Sequence, residues 1–516
     1  MNVHYLSLRE GTPAKGYWDQ YLISELLQGF EVEKLDGLDE CIVIIPGAYQ
    51  FHLIKEINQE LSKVGKVKVI VTSDEENKFP LNELKHPNMK LYATYPQENV
   101  VNGVTYLPIG YPPHIELKSE VAPDKALEMF YAGQVNHKDR EEMIEKIKGM
   151  EVWGEIHPTA GFSQGLNRKE YIEKMSQAKV VPCPKGNISP DSFRLYEALE
   201  CGAIPVAQYP DFWYKIFKDY PFPVVSKADQ WVGYIEDAIR LYPKLNNKVQ
   251  AWWIREKQRI RKELRGEDEM TILVPISPIP SHPSTHILEQ TLDSIRHHTR
   301  DEIILLFDGV RSEQKSREKD YDEFIRQVLW KNRKWKNVRP IIFEDHLHQI
   351  GMLRKVIDDI KTPLLMFVEQ DTPIVTDEPI NWEKIKQFIL LGQSNLVRFY
   401  HEAHIHPEHK HLMLETKDDF TETAQWSQRP HLASTAFYAR ILNNYFSPNA
   451  CSFIEDVLHG KEYEDFIKYG RLGFEQWKTH IYTPKTTTGS EWASTLRRTK
   501  LTKTHCHTRR DRKSVV

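Results

Sequence analysis

Long apolar runs are missing from this chain, and no segment approaches the roughly 20 residues needed to cross a bilayer. The opening stretch, MNVHYLSLREGTPAKG, lacks the basic-then-apolar layout of a secretory leader. Cysteine is scarce too. Five Cys, at 41, 183, 201, 451 and 506 of 516 residues, form neither a disulfide framework nor a CxxC metal knuckle. A reducing, cytoplasmic location is the expectation. Excess positive charge is also absent from the body of the chain. Residues 486–516 hold eight Lys/Arg and two acids, so the preceding 485 residues carry −10 of the overall −4. Such an acidic body is a poor general binder of nucleic acid, which leaves nucleic acid a role only as an acceptor of chemistry.

What is present fits a large globular protein. Hydrophobic residues make up 40% and aromatics 11%, ample for several cores, and the length suggests about three domains at roughly 150 residues each. Twelve Trp and 23 Tyr suit a protein that grips ring-shaped ligands, although most aromatics fill cores. The last six residues, DRKSVV, are what a common sequencing-adapter string encodes. The basic tail, 485–516, is therefore expected to be disordered or an assembly artefact.

The first half alternates strands and helices. VHYLSL, CIVIIPG and KVKVIVTS read as strands, with YWDQYLISELLQ and FHLIKEINQELSKV as helices between them. A linker rich in Pro and Gly, 107–125, precedes a second such unit, with strands at LEMFYAGQ, MEVWGEI, KVVPCP and AIPVAQ. This rhythm predicts parallel sheets flanked by helices. A charged helical stretch at 249–269 follows, and the chain restarts with strands TILVPISP, EIILLFDG, VRPIIFED and PLLMFVEQDTPIV. The fold class is α/β, with two Rossmann-like lobes followed by a third α/β domain. The boundaries fall at 1–115, 116–248, 249–269 (helical linker), 270–484 and 485–516. No GxGxxG follows the first strand, which disfavours a nucleotide-sugar epimerase.

Two constellations carry chemistry. In PCPKGNISPDSFRLYEALECGAIPV (182–206) a strand enters a loop and a helix opens near Asp191 and Ser192, with Asp191 as the N-cap candidate. Helix N-termini attract phosphate; Arg194 can neutralise a diphosphate, and Glu197 shares its face and can accept from ribose hydroxyls. An ordinary Arg194–Glu197 pair beside a plain cap would leave the same pattern. In the third domain, apolar strands end at Asp308-Gly309 and at Glu369-Gln370-Asp371, where exposed acids suit a divalent cation bridging a nucleoside diphosphate. Five His crowd HEAHIHPEHKH (401–411), with Pro407 breaking any helix. That run reads as a polar surface or an acceptor-side loop rather than a zinc site.

PDSFRLYEALECGAIPV closely resembles the signature of exostosin-type glycosyltransferases, and FYAGQVNHKDRE (130–141) resembles that family's preceding strand and loop. The resemblance implies a GT-B fold across the two lobes. It places Arg194 on the diphosphate, Glu197 on the ribose, and Gly133, Gln134, Lys138 and Ser192 about the donor, with no cofactor. Ser189 stands eight residues before Glu197, where retaining relatives often carry Glu, so an inverting reaction with one base is expected. Asp19 is the first candidate for that base, ahead of Glu10 and Asp74. The third domain resembles the GT-A fold of family-2-like glycosyltransferases. On that resemblance Asp308 meets the nucleoside, Asp371 and Glu369 ligate Mn²⁺ or Mg²⁺, His480 is a late metal ligand, and Glu455-Asp456 supplies the base. Its metal motif departs from the family pattern, reading Glu-Gln-Asp for Asp-x-Asp. The expected activity is sugar transfer from a nucleotide-sugar donor, a UDP-sugar first, to a glycan or other hydroxylated acceptor. The alternatives are glycosylation of modified DNA bases by a viral enzyme, and a sugar-nucleotide or glycan-binding protein with one or both modules inactive.

Overall fold

The computed structural model describes residues 2–483 apart from 28–29, 97–101, 114, 116–119, 162–163, 267, 336, 377–378 and 400–406, with no side chain described at 30, 407 or 408. The basic tail and most of the 401–411 histidine run thus lie outside the described residues. The chain forms two compact units. One comprises 1–267 with 280–283 and 316–342, and the other 268–279, 284–315 and 343 onward.

Two-sided apolar strands build the first unit. Every residue of β3 (Glu40–Pro46) from Cys41 onward is buried, as a parallel strand covered on both faces requires. Successive side chains point to opposite faces. Cys41, Val43 and Ile45 join Ile57 and Leu61 of the Ile54–Leu61 helix in one core, while Ile42 and Ile44 meet Ile23 and Leu27 of the Tyr21–Leu27 helix in another. With β1 (Asn2–Tyr5), β2 (Phe30–Glu31), β4 (Lys66–Thr72), β5 (Met89–Ala93) and β6 (Val104–Tyr106) it makes a parallel sheet of order β2-β1-β3-β4-β5-β6. A second parallel sheet, β11-β10-β9-β7-β8, comprises β7 (Leu127–Gln134), β8 (Gly154–Thr159), β9 (Ala178–Pro182), β10 (Ile204–Gln208) and β11 (Val224–Val225). Strand β8 begins at Gly154, later than MEVWGEI suggests, because its pairing with β7 starts only there, at Met129–Gly154.

The charged helix read at 249–269 runs from Lys244 to Arg265 and spans both lobes of this unit. Trp252 and Trp253 enter the core of the second sheet, and Ile260 and Leu264 enter a core of the first. Its polar anchor is Glu200, the last residue of the Phe193–Glu200 helix, which accepts from Trp253 Nε1 at 2.6 Å and Lys257 Nζ at 2.7 Å. The Phe193–Glu200 helix ends at Gly202, whose φ of +69° suits a residue without Cβ. Gly202 N–H donates to the Leu199 carbonyl at 3.1 Å and Ala203 N–H to the Ala198 carbonyl at 2.9 Å, a Schellman cap. Segment 316–342 contributes Arg333, whose Nε donates to the Glu200 carbonyl at 2.8 Å, and β14 (Val338–Ile342), which packs against the Lys244–Arg265 helix.

The second unit has a mixed sheet. Strands β12 (Met270–Ile276), β13 (Glu302–Phe307) and β15 (Leu364–Phe367) are fully buried and parallel. Within this unit the order continues β13-β12-β15-β19-β16-β20-β18-β17 through β16 (Leu396–Phe399), β17 (Met413–Lys417), β18 (Phe420–Thr423), β19 (His431–Ser434) and β20 (Thr479–Tyr482). Strand β19 runs antiparallel to both neighbours, and β18 to both of its own.

Glu200→Ala leaves a half-buried ammonium and a buried indole N–H without their acceptor, and we expect a loss of about 3–5 kcal/mol in chemical unfolding of the first unit. Burial raises the Glu200 carboxyl, but Lys257, Arg333 and the two hydrogen bonds outweigh it and hold its pKa below the usual range. Its stabilisation is therefore full above the ordinary carboxylate pKa and lost as pH falls through the lower folded value. The second unit behaves in the opposite sense. Burial pushes the Glu462 carboxyl up to about 8 against the pull of Thr479 and Arg398. Its contribution is full below the ordinary carboxylate pKa and lost as pH rises toward 8. Glu462→Gln should flatten that fall in unfolding midpoint between pH 5 and 8, an effect on the order of a few kcal/mol.

Candidate functional site

In open α/β sheets ligands bind beyond the carboxyl ends of the strands. In the first unit, β7 ends at Gly133 and Gln134 beside the start of the Phe193–Glu200 helix. Arg194 Nη2 donates to the Ala132 carbonyl at 3.0 Å, and the guanidinium lies 4.8 Å from the Tyr131 ring centroid. Gly133 is what lets the guanidinium approach, since a Cβ there would fall 1.9 Å from Nη2. Burial opposes the charge of Arg194, but Tyr131, Tyr171, Cys183 and Glu197 around it hold its pKa above the ordinary value. Glu197 is buried, its carboxyl raised by burial, and one oxygen accepts from Tyr171 Oη at 2.7 Å.

Ser192, rather than Asp191, occupies the N-cap position, and its hydroxyl makes no capping bond. Asp191 is instead buried, accepting from Tyr196 Oη at 3.0 Å, and burial pushes its carboxyl up to about 7. The turn before it is tight, for a Cβ on Gly186 would fall 2.6 Å from the Asp191 carbonyl oxygen. Among the described residues four buried polar atoms here, Tyr131 Oη, His137 Nδ1, Asp191 Oδ1 and Arg194 Nε, have no hydrogen-bond partner. Buried polar groups are rarely left so, and a cluster of them marks a place for a polar ligand or water. Lys138 stands away from this group, its side chain 85% exposed and paired with Glu142 at 3.3 Å.

Arg140 is the residue that sequence reasoning passed over. Only 7% exposed, it donates from Nη1 to the Gln134 carbonyl at 2.8 Å and from Nε and Nη2 to the Lys185 carbonyl at 3.1 Å. It ties the end of β7 to the loop that leads into the Phe193–Glu200 helix. Its place in the charged run KDREE reads as solvated, so no sequence signal marked it. Asp19 is buried in the first lobe, accepting from Ser73 N–H, from Ser73 Oγ at 2.8 Å and from Thr94 Oγ1 at 3.1 Å. Burial raises its pKa against those hydrogen bonds. Its neighbour Trp18 packs edge-on against Phe193 at 5.7 Å.

The second unit has an open cleft of about 700 Å³ beyond β13. Three segments frame it: Val310–Glu313, the His346–His348 turn, and Cys451–Asp456. Asp308 is buried behind them. Its carboxylate accepts from Gly309 N–H (3.0 Å), Leu347 N–H (2.7 Å) and His348 N–H (3.1 Å), and His346 Nδ1 lies 2.8 Å from Oδ2. His348 takes a left-handed φ of +56° in this turn, and its ring packs edge-on against Phe453 at 4.3 Å. Gln349 Oε1 accepts from Ile454 N–H at 3.1 Å, joining the turn to the helix Ile454–Tyr469. That helix carries Glu455 and Asp456 in its first turn, and Asp456 lines the cleft.

The expected metal ligands are not gathered in the same way. Glu369 Oε1 accepts from Gln428 Nε2 at 2.6 Å, and Asp371 is exposed on the turn that follows β15. His480 is buried in β20, with Nδ1 2.9 Å from Ser394 Oγ, and burial lowers its pKa. Among the described residues no three His, Cys, Asp or Glu side chains come together to hold a metal ion.

No protein family and no curated protein matches the chain. Among solved structures, similarity is found to TarS residues 1–349 of S. aureus (11% identity, 42% of this chain and 59% of that one, TM-score 0.28). It is also found to the mannosyltransferase PcManGT of Pyrobaculum calidifontis in complex with GDP-Man and Mn²⁺ (10% identity, 46% and 67%, TM-score 0.29). A third is GalNAc-T7 with UDP, GalNAc and Mn²⁺ (12% identity, 41% of each chain, TM-score 0.27).

Proposed function

We propose that the chain is a glycosyltransferase with two nucleotide-sugar modules, both inverting, acting on a glycan or other hydroxylated acceptor. The observation that carries the reading is the cleft of the second unit, where Arg311, His346 and His348 line the same space as Asp456. Its volume of about 700 Å³ suits a ligand of nucleotide-sugar size. In the proposed reaction the Asp456 carboxylate takes the proton of an acceptor hydroxyl as that oxygen bonds to the anomeric carbon. The bond from that carbon to the diphosphate oxygen breaks, and the nucleoside diphosphate leaves with the electron pair. Asp308 serves this site by fixing the His346–His348 turn. When bound, a divalent cation would neutralise the diphosphate; Asp371 and Glu369 are its proposed contacts, and no step above depends on it.

In the first unit Arg194 is the proposed diphosphate contact, with Gly133 giving it room, Ser192 and Gln134 lining the donor, and Glu197 behind. Lys138 is a contact at the rim, and Asp19 the proposed base. A UDP-sugar is the first donor to try. One observation favours a second reading, a carbohydrate- or nucleotide-binding protein with an inactive second module. The Gln428 bond occupies an oxygen of Glu369 that a metal-bound donor would need.

Release of nucleoside diphosphate from UDP-, GDP- and dTDP-sugars, with glycan and modified-DNA acceptors, separates these readings. Asp456→Asn should lower turnover at the second module by about 10²–10⁴-fold while leaving donor affinity nearly unchanged. Turnover unaffected by that change would remove Asp456 as base; tight donor binding without turnover would favour the binding protein. Gly133→Ala should displace the Arg194 guanidinium and weaken donor binding at the first module by about 10–100-fold, as loss of a charged hydrogen bond does. The change should match Arg194→Ala, and a Gly133→Ala protein with full affinity would remove Arg194 from the site.

A further inference from the structure

Arg311 stands on the cleft wall in a way that its exposed position does not by itself require. Its Nε donates to His346 Nε2 at 3.0 Å. With Nε2 accepting, the ring's other nitrogen, Nδ1, faces Asp308 Oδ2 at 2.8 Å, a close polar contact without the angle of a hydrogen bond. Asp308 is in turn immobilised by the backbone N–H groups of Gly309, Leu347 and His348. The imidazole thus lies against a buried carboxylate on one side and accepts from a guanidinium on the other. Among the described residues Nη1 and Nη2 of Arg311 make no hydrogen bond or ion pair, which leaves its fork of donors for the cleft. The acid beside it, Glu313, is fully exposed, and its carboxyl is lowered chiefly by local hydrogen bonds, with Arg311 and His346 contributing. A planar donor fork held at one nitrogen and open at the other two matches the oxygens of a phosphate.

We propose that Arg311 recognises the diphosphate of the ligand in this cleft and that His346 is its positioning residue, oriented by Asp308. The inference deepens the transferase reading and rests on it for the diphosphate class. Without the imidazole, Arg311 would sample many rotamers and lose part of its affinity to the entropy of ordering. Gln at 346 can present an oxygen near the position of Nε2 and so keep the acceptor, whereas Ala cannot.

The test is calorimetric titration of the full chain with inorganic pyrophosphate and with UDP, in an Arg194→Ala background that silences the first unit's site. Arg311→Ala should weaken both by about tenfold or more, His346→Ala by about three- to tenfold, and His346→Gln by less than about twofold, with thermal unfolding unchanged in all three. Binding untouched by Arg311→Ala, or absent from the parent, overturns the proposal, and a His346→Gln protein as weak as His346→Ala overturns the positioning role. Pyrophosphate binding that depends on Arg311 in a protein turning over no nucleotide-sugar would sink the transferase reading and leave this inference standing.

Discussion

Loops that leave buried parallel strands carry backbone N–H groups with no ladder to enter, and an unpaired buried N–H is costly. In this protein buried carboxylates take them. Asp308 accepts from three such groups beyond β13. Asp74, beyond β4, accepts from Lys78 N–H at 2.9 Å and Phe79 N–H at 3.0 Å. Asp19 accepts from Ser73 N–H in the same lobe. Each fixes a turn at the carboxyl edge of a sheet, so the shape of the candidate sites depends on how these acids hold the backbone.

This explains why acids at strand ends are hard to assign from sequence. An Asp after an apolar strand suits a base, a nucleoside contact or a loop clamp equally well, because each use needs a carboxylate at the carboxyl end. The distinguishing facts are which amides lie within 3 Å and how far the oxygens are from water. Those facts come from segments far apart in the chain: Asp308 meets 347 and 348, and Asp19 meets 73 and 94. Asp456 differs in kind, since it lies on the cleft lining rather than beneath it.

Several strands were legible because burial on both faces leaves an unbroken apolar run, as in LEMFYAGQ, where β7 spans the same eight residues, whereas β5, β6, β11 and β16 to β20 were not read as strands. The Phe193–Glu200 helix was legible through its Gly202 cap. Segment 316–342 was not. Its helix Glu318–Lys331 buries Tyr321, Phe324, Val328 and Leu329, a pattern that says one face is covered without saying by what. What associates it with the first unit includes Arg326 Nη1 donating to the Pro123 carbonyl at 3.0 Å and Ala122 N–H donating to Gln327 Oε1 at 2.9 Å. Polar bonds of that kind have no periodicity to read. Arg140, Arg311 and His346 escaped for the same reason, because charged residues in polar runs look solvated until the backbone carbonyls and rings around them are known.

The two units hold their candidate guanidinium groups in different ways. Arg194 is packed against an aromatic face and a backbone carbonyl, with acidic and phenolic groups around it that sustain its charge despite burial. Such a charge acts through a poorly screened medium, so it is strong and intolerant of displacement, and the missing Cβ of Gly133 follows from that. Arg311 lies in the open, where water and salt weaken each interaction, and its geometry comes from a chain of polar contacts back to a buried acid. In the first unit position is secured by packing and in the second by close polar contacts. The second arrangement leaves the outer nitrogens of the guanidinium to face the cleft, which is what the proposed diphosphate contact would need.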